Sequence, residues 1–277
     1  MTLAGDAAQI LPDDLIRPSH RLAAFAGAGG KTSLIRWFAE AFRQAGKRVL
    51  ITTTTKFFPF PDLNAILLRT AHSPADIINS ALDQNGITVV ADHLDKTTGK
   101  LVGLHPAMVT ELSALADLTL VEADGAARKP LKAPAEHEPV IPANTDLCIG
   151  VMGLDAAFRP LTETTVHRHE TFARIAGLSA GKSILPEHMI RLAQNRNGLF
   201  KGCPGSSERI VFLNKNDLPS TSGTVHDLGN ALSRLSGDSC LSWFSGSARL
   251  KRISRISPCP DENPPLPADA LAFPHRL

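Results

Sequence analysis

The sequence predicts an α/β fold, a mostly parallel sheet with helices on both faces. Two observations carry that prediction. Apolar runs alternate with amphipathic stretches along most of the 277 residues, as strands joined by crossover helices do. Near the start, a strand, a glycine-rich turn, a helix and a second strand follow one another at the length of one βαβ unit.

"RLAAFAG" reads as a short buried strand, and "KTSLIRWFAEAFRQAG" places Leu34, Ile35, Phe38 and Phe42 on one helical face, with Gly46 as a stop. "KRVLITTTT" follows as a β-branched strand. Further strands are expected at "NAILLRT", "GITVVAD", "LTLVEAD", "DLCIGVMG", "RIVFLNK" and "CLSWFSG", and helices at "SPADIINSALDQN", "PAMVTELSAL", "HETFARIAGL", "PEHMIRLAQN" and "TVHDLGNALSRL". The chain is read as one domain over residues 1–255, with 155–205 as a helical insertion and 256–277 as a Pro-rich, poorly ordered tail.

Hydrophobic residues at 43% and charged residues at 20% are an ordinary globular balance. A formal charge of +2 with scattered Lys and Arg argues against nucleic acid and membrane partners. Cys148, Cys203, Cys240 and Cys259 lie far apart without metal-type spacing, which suggests free thiols and a cytoplasmic location. The N-terminus lacks the basic flank and apolar run of a signal peptide.

The turn after the first strand is the strongest chemical signal. In the common phosphate-loop spacing, a glycine stands five residues before Gly30-Lys31, where this chain has Phe25. The loop is therefore read as the compact form of Mur-type ligases, Gly27-Ala28-Gly29-Gly30-Lys31-Thr32, with Ser33 completing it. Backbone N–H groups at a helix N-terminus would cradle phosphates, Lys31 would reach the β- and γ-phosphates, and Thr32 would bind Mg²⁺. The fold expected is accordingly P-loop NTPase-like.

Other segments fall where a nucleotide site needs them. Thr52 to Thr55 end the second strand, and Thr53 is a candidate metal ligand. Glu122 and Asp124 close an apolar strand, the position from which an acid binds Mg²⁺ or orients water. Asn214, Lys215 and Asp217 spell NKxD after another strand, the pattern that reads guanine in GTPases, where the aspartate accepts from the base and Asn and Lys brace the loop and ring; Ser247-Ala248 resembles the turn that contacts the guanine oxygen. The base is left as GTP or ATP.

The segment "LVEADGAARKPLKAPAEHEPVIP", with "GAGGKTS", "ITTTTK", "VMGLDA", "VHR", "GLFKGCP" and "FLNKND" in chain order around it, closely resembles the YqeC family of accessory proteins for selenium-dependent molybdenum hydroxylases. The resemblance implies a role in maturing those enzymes, with a hydroxylase apoenzyme or a cofactor-maturation protein as partner. It places the family's phosphate-loop motif on Gly27, Gly29, Gly30, Lys31 and Thr32, its acidic motif on Glu122, Asp124 and Gly125, and its Pro-rich motif on Lys132 to Pro139. Lys31, Glu122, Asp124 and Lys132 are the catalytic candidates, and Glu136, His137 and Glu138 the candidates for holding a second substrate. Three functions stay open: an NTP-hydrolysing maturation factor, an ATP-dependent small-molecule ligase or kinase, and a nucleotide or cofactor carrier that hydrolyses nothing.

Overall fold

The computed structural model describes residues 10–221, 223–235 and 241–256. A short helix α1 (Pro12–Leu15) precedes strand β1 (Leu22–Gly27), helix α2 (Lys31–Gln44) and strand β2 (Val49–Thr53). Strands β3 (Lys56–Phe57) and β4 (Ala65–Leu67), helix α3 (Pro74–Asn85) and strands β5 (Ile87–Ala91), β6 (His93–Asp95) and β7 (Lys100–Val102) follow. Helix α4 (Pro106–Leu112) leads to β8 (Leu118–Glu122), β9 (Leu131–Lys132) and β10 (Leu147–Gly153). Then come β11 (Val166–His167), helices α5 (His169–Ala176) and α6 (Pro186–Gln194), β12 (Glu208–Asn214), helix α7 (Thr224–Leu235), β13 (Ser242–Ser247) and β14 (Arg252–Arg255).

Among the described residues, nine strands form one sheet in the order β14-β13-β12-β10-β1-β8-β2-β5-β4, parallel throughout except for the β13–β14 pair. Strand side chains alternate between faces, so each strand of a sandwiched sheet feeds two cores. Ala23 and Phe25 of β1 join Leu34, Phe38 and Phe42 of α2 on one face. On the other face, Leu22 and Ala24 join Ile78 and Leu82 of α3 and Val109 of α4. Farther along that sheet, Met152 and Leu213 pack with Phe172 of α5, Ile190 of α6 and Leu228 of α7. The helical stretch read as an insertion thus includes α5 and α6, and both helices contribute to this core.

Two small sheets, β3-β7-β6 and β11-β9, escape the periodicity because strands of two or three residues carry no repeat. One expectation is corrected: Cys148 and Cys203 are joined in a disulfide, not free. Cys148 lies on β10 and Cys203 is 55 residues later, so sequence spacing could not show that the fold brings their Cα atoms to 6.7 Å. Cys240, Cys259 and tail residues 257–277 lie outside the described residues, whereas Ile256 is buried. Among the described residues no helix is long and apolar enough to cross a membrane.

Phe38 is fully buried, edge-on to Phe25 at 6.1 Å, Trp37 at 5.2 Å and Phe212 at 6.4 Å, and so fastens α2 to two strands. Truncating it leaves a cavity as well as losing transfer energy. Phe38→Ala is expected to lower unfolding free energy by about 3–5 kcal/mol in urea titrations.

Candidate functional site

Strand β1 lies between β8 and β10, and the chain crosses from one side of it to the other between those two strands. Such a topological switch leaves a crevice at the carboxyl ends of the strands. The glycine loop opens into that crevice. Gly27, Gly29 and Gly30 hold φ of 94°, 86° and 117°, and a side chain on Gly29 or Gly30 would strike the Gly153 backbone or the Asn214 side chain. Ala28 N–H donates to Val151 O (2.9 Å) and Gly29 N–H to Lys129 O (3.2 Å). The N–H groups of Gly30, Lys31, Thr32 and Ser33 have no acceptor among the described residues, as expected of the first turn of a helix.

Beneath the loop runs a chain of alternating charge. Asp124, 2% exposed, accepts from Gly27 N–H at 3.1 Å with each carboxylate oxygen, and it pairs with Lys31 Nζ at 3.1 Å and Lys132 Nζ at 3.0 Å. Lys31 Nζ also donates to Gly27 O at 2.5 Å and lies 3.9 Å from Glu122. Lys132 Nζ donates to Gly125 O at 2.5 Å and pairs with Glu138 at 2.7 Å, and Arg168 completes the series on Glu138 at 2.6 Å. Burial alone would lower Lys31; attraction from Asp124 and Glu122 outweighs it and holds the ammonium above its ordinary range. Burial pushes the Glu122 carboxyl up, against Lys31 and a hydrogen bond from Thr32. At Glu138 burial is outweighed by Lys132 and Arg168, and its carboxyl lies below the ordinary value.

Thr32 Oγ1 donates to Glu122 at 2.7 Å, which sets a hydroxyl and a carboxylate side by side at the loop. Thr53 is turned elsewhere: its hydroxyl, fully buried, donates to Glu122 O at 2.7 Å and accepts from Thr55 N–H at 3.0 Å. In the Pro-rich loop, Glu136 and His137 are exposed, while the Glu138 carboxylate is held by Lys132 and Arg168. Among the described residues no three His, Cys, Asp or Glu side chains gather as a metal cluster.

A cavity of about 400 Å³ faces the loop. Lys31, Lys56, Lys100, Arg128, Lys129 and Lys215 line it, against Glu122 as its acid. Of these, Lys31 and Lys215 were site candidates from sequence, whereas Lys56 and Lys100 were not, because the pairing of β3 with β7 brings them to the cavity. A second cavity of about 430 Å³ shares Thr32 and Ser33 with the first and reaches Trp37, Phe60 and Ala248.

The NKxD segment lies on the β12–β13 side. Asn214 Nδ2 donates to Gly29 O at 2.8 Å and its Oδ1 accepts from Ala248 N–H at 3.0 Å, so this side chain ties the glycine loop to the Ser247-Ala248 turn. Lys215 pairs with Asp155 at 2.8 Å. Asp217 is held by the Ser247 hydroxyl and by Arg249 (2.9 and 2.6 Å), which keep its carboxyl low. The groups assigned to a base are thus satisfied within the protein.

A family model described as YqeC protein matches residues 23–170, more than half of the chain. The chain belongs to the YqeC family. An Escherichia coli (strain K12) protein named "Uncharacterized protein YqeC" is 36% identical over 192 residues, covering 68% of this chain and 73% of the relative. The YqeC match contains the glycine loop, Glu122, Asp124 and the 132–139 loop, whereas Asn214 and Asp217 lie beyond it.

Asp124 is the shared partner of two buried ammonium groups. Asp124→Ala is expected to lower stability by about 3–5 kcal/mol, the usual effect of leaving buried charges unpaired, measured by chemical denaturation.

Proposed function

We propose that this YqeC family protein binds a purine nucleoside triphosphate, GTP or ATP, with Mg²⁺, hydrolyses it, and serves as an accessory factor in maturing a selenium-dependent molybdenum hydroxylase. The observation that carries the nucleotide part is the N-terminal turn of α2, whose N–H groups have no acceptor among the described residues, facing a cavity that those residues line with six Lys and Arg side chains against one acid. Polyphosphate is the common ligand that such a cradle neutralises. A P-loop NTPase-like fold is consistent with the parallel sheet and with the loop between β1 and α2. The hydroxylase association rests on the family resemblance.

The donor set fits Mg²⁺. Thr32 and Glu122 offer two oxygens at one point, and Mg²⁺ favours few protein ligands completed by phosphate and water. When bound, the ion would neutralise charge on the phosphate oxygens. Lys31, braced under the loop by Asp124, would supply positive charge to the same phosphates. Asp124 itself is committed to holding Lys31, Lys132 and the loop backbone, which assigns it a positioning role.

A ligase or kinase is the second reading. It is favoured by the extension of the cavity past the glycine loop to Phe57, Phe58 and Lys100, room in which an acceptor could sit.

Thermal denaturation with a nucleotide panel tests the proposal, since a ligand of the folded state raises the melting temperature. Triphosphates with Mg²⁺ should raise it, and Thr32→Val should remove the Mg²⁺-dependent part; no shift with any nucleotide would overturn the reading. For the base, Arg249→Ala frees Asp217 and should raise GTP preference over ATP about tenfold by calorimetry, the worth of one charged hydrogen bond. An unchanged ratio would remove Asp217 from base recognition.

A further inference from the structure

We propose that Arg128 reads the terminal phosphate of the bound triphosphate and separates triphosphate from diphosphate; this rests on the nucleotide reading above. The turn that carries Arg128 is unusual. Lys129 N–H closes it on Ala126 O at 3.0 Å, and both corner residues, Ala127 and Arg128, hold positive φ, 47° and 59°. Turns of that shape normally take Gly or Asn at these corners. Strained residues of this kind persist where surrounding structure over-determines them, commonly at ligand clamps.

What holds the turn is the glycine loop itself, since Lys129 O accepts from Gly29 N–H at 3.2 Å. The Arg128 side chain is held in turn by an exposed aromatic ring: its guanidinium carbon lies 4.8 Å from the centroid of Phe58, with Lys100 Nζ 5.0 Å from the same centroid. Charge is left over at this wall. Lys56 and Lys215 have carboxylate partners in Asp95 and Asp155, whereas Arg128, Lys129 and Lys100 have none among the described residues.

Direction follows from the sheet order. Asn214, Asp217 and Ala248 lie on the β12–β13 side of β1; the chain after Arg128 crosses to β10, where Gly153 N–H donates to Pro130 O at 2.9 Å, but the Arg128 side chain lies over Phe58, which follows β2 and β3 on the opposite side. A nucleotide spanning the glycine loop with its base toward the first group directs its last phosphate toward the second. There a guanidinium fork can take two phosphate oxygens at once, which a lysine cannot reproduce.

The test is calorimetric titration of the full chain with a non-hydrolysable Mg²⁺ triphosphate and with the Mg²⁺ diphosphate. In Arg128→Ala and Arg128→Gly the triphosphate Kd should rise about 10- to 100-fold, with the diphosphate Kd changed less than about threefold. Arg128→Gly should also raise the melting temperature by relieving the positive φ, which separates lost recognition from lost folding. Phe58→Ala should shift the ratio in the same direction. If the Arg128 variants keep the unmutated triphosphate-to-diphosphate ratio, Arg128 does not read the terminal phosphate, and the nucleotide reading stands. If the unmutated protein binds neither nucleotide, both fall.

Discussion

The Asp124 carboxylate holds the site together. It meets the Gly27 N–H, Lys31 and Lys132 at once, in an environment that leaves it 2% exposed. Two buried ammonium groups flanking one another would be intolerable without it, and the carboxylate would be equally costly without them. The consequence is geometric. Because Lys31 begins α2 and Gly27 ends β1, one side chain from the end of β8 sets both shoulders of the glycine loop. Through Lys132 and Glu138 the same network reaches Arg168, so the Pro-rich loop is fastened to the glycine loop by charge.

The sheet supplies the rest. A parallel arrangement places the carboxyl ends of β1, β2, β8, β10, β12 and β13 along one edge, and the order β10-β1-β8 opens the crevice beside the loop. Everything chemically distinctive gathers there: the Thr32–Glu122 pair, the cationic wall and the Asn214 brace. The brace has its own logic. Asn214 occupies the space that a side chain on Gly30 would need, so the loop glycine and the asparagine require one another.

Most of this frame was legible in the sequence because long buried strands and amphipathic helices carry their periods openly. The residues of "LAAFAG" and "LTLVE" became β1 and β8, and the helical face of Leu34, Phe38 and Phe42 became the core contact of α2. What was not legible depends on distance in the chain or on side-chain direction. Neither the pairing of Cys148 with Cys203 nor that of Arg249 with Asp217 follows from local pattern. Thr53 sits at the right strand end, yet its hydroxyl is spent on backbone. Lys56 and Lys100 enter the cavity only because two short strands, β3 and β7, pair across 44 to 46 residues of chain. Arg128 reads from sequence as serving local charge needs only, and its positive φ and its place on Phe58 are what distinguish it from a surface charge.

The open N–H groups of the glycine loop are proposed to form a phosphate cradle. A crystal structure with a non-hydrolysable triphosphate and Mg²⁺ tests it most directly. Such a cradle predicts phosphate oxygens within hydrogen-bond distance of the N–H groups of Gly30, Lys31, Thr32 and Ser33, with the metal beside Thr32 and Glu122. A fully occupied nucleotide bound elsewhere, with those four N–H groups facing only water, would contradict it.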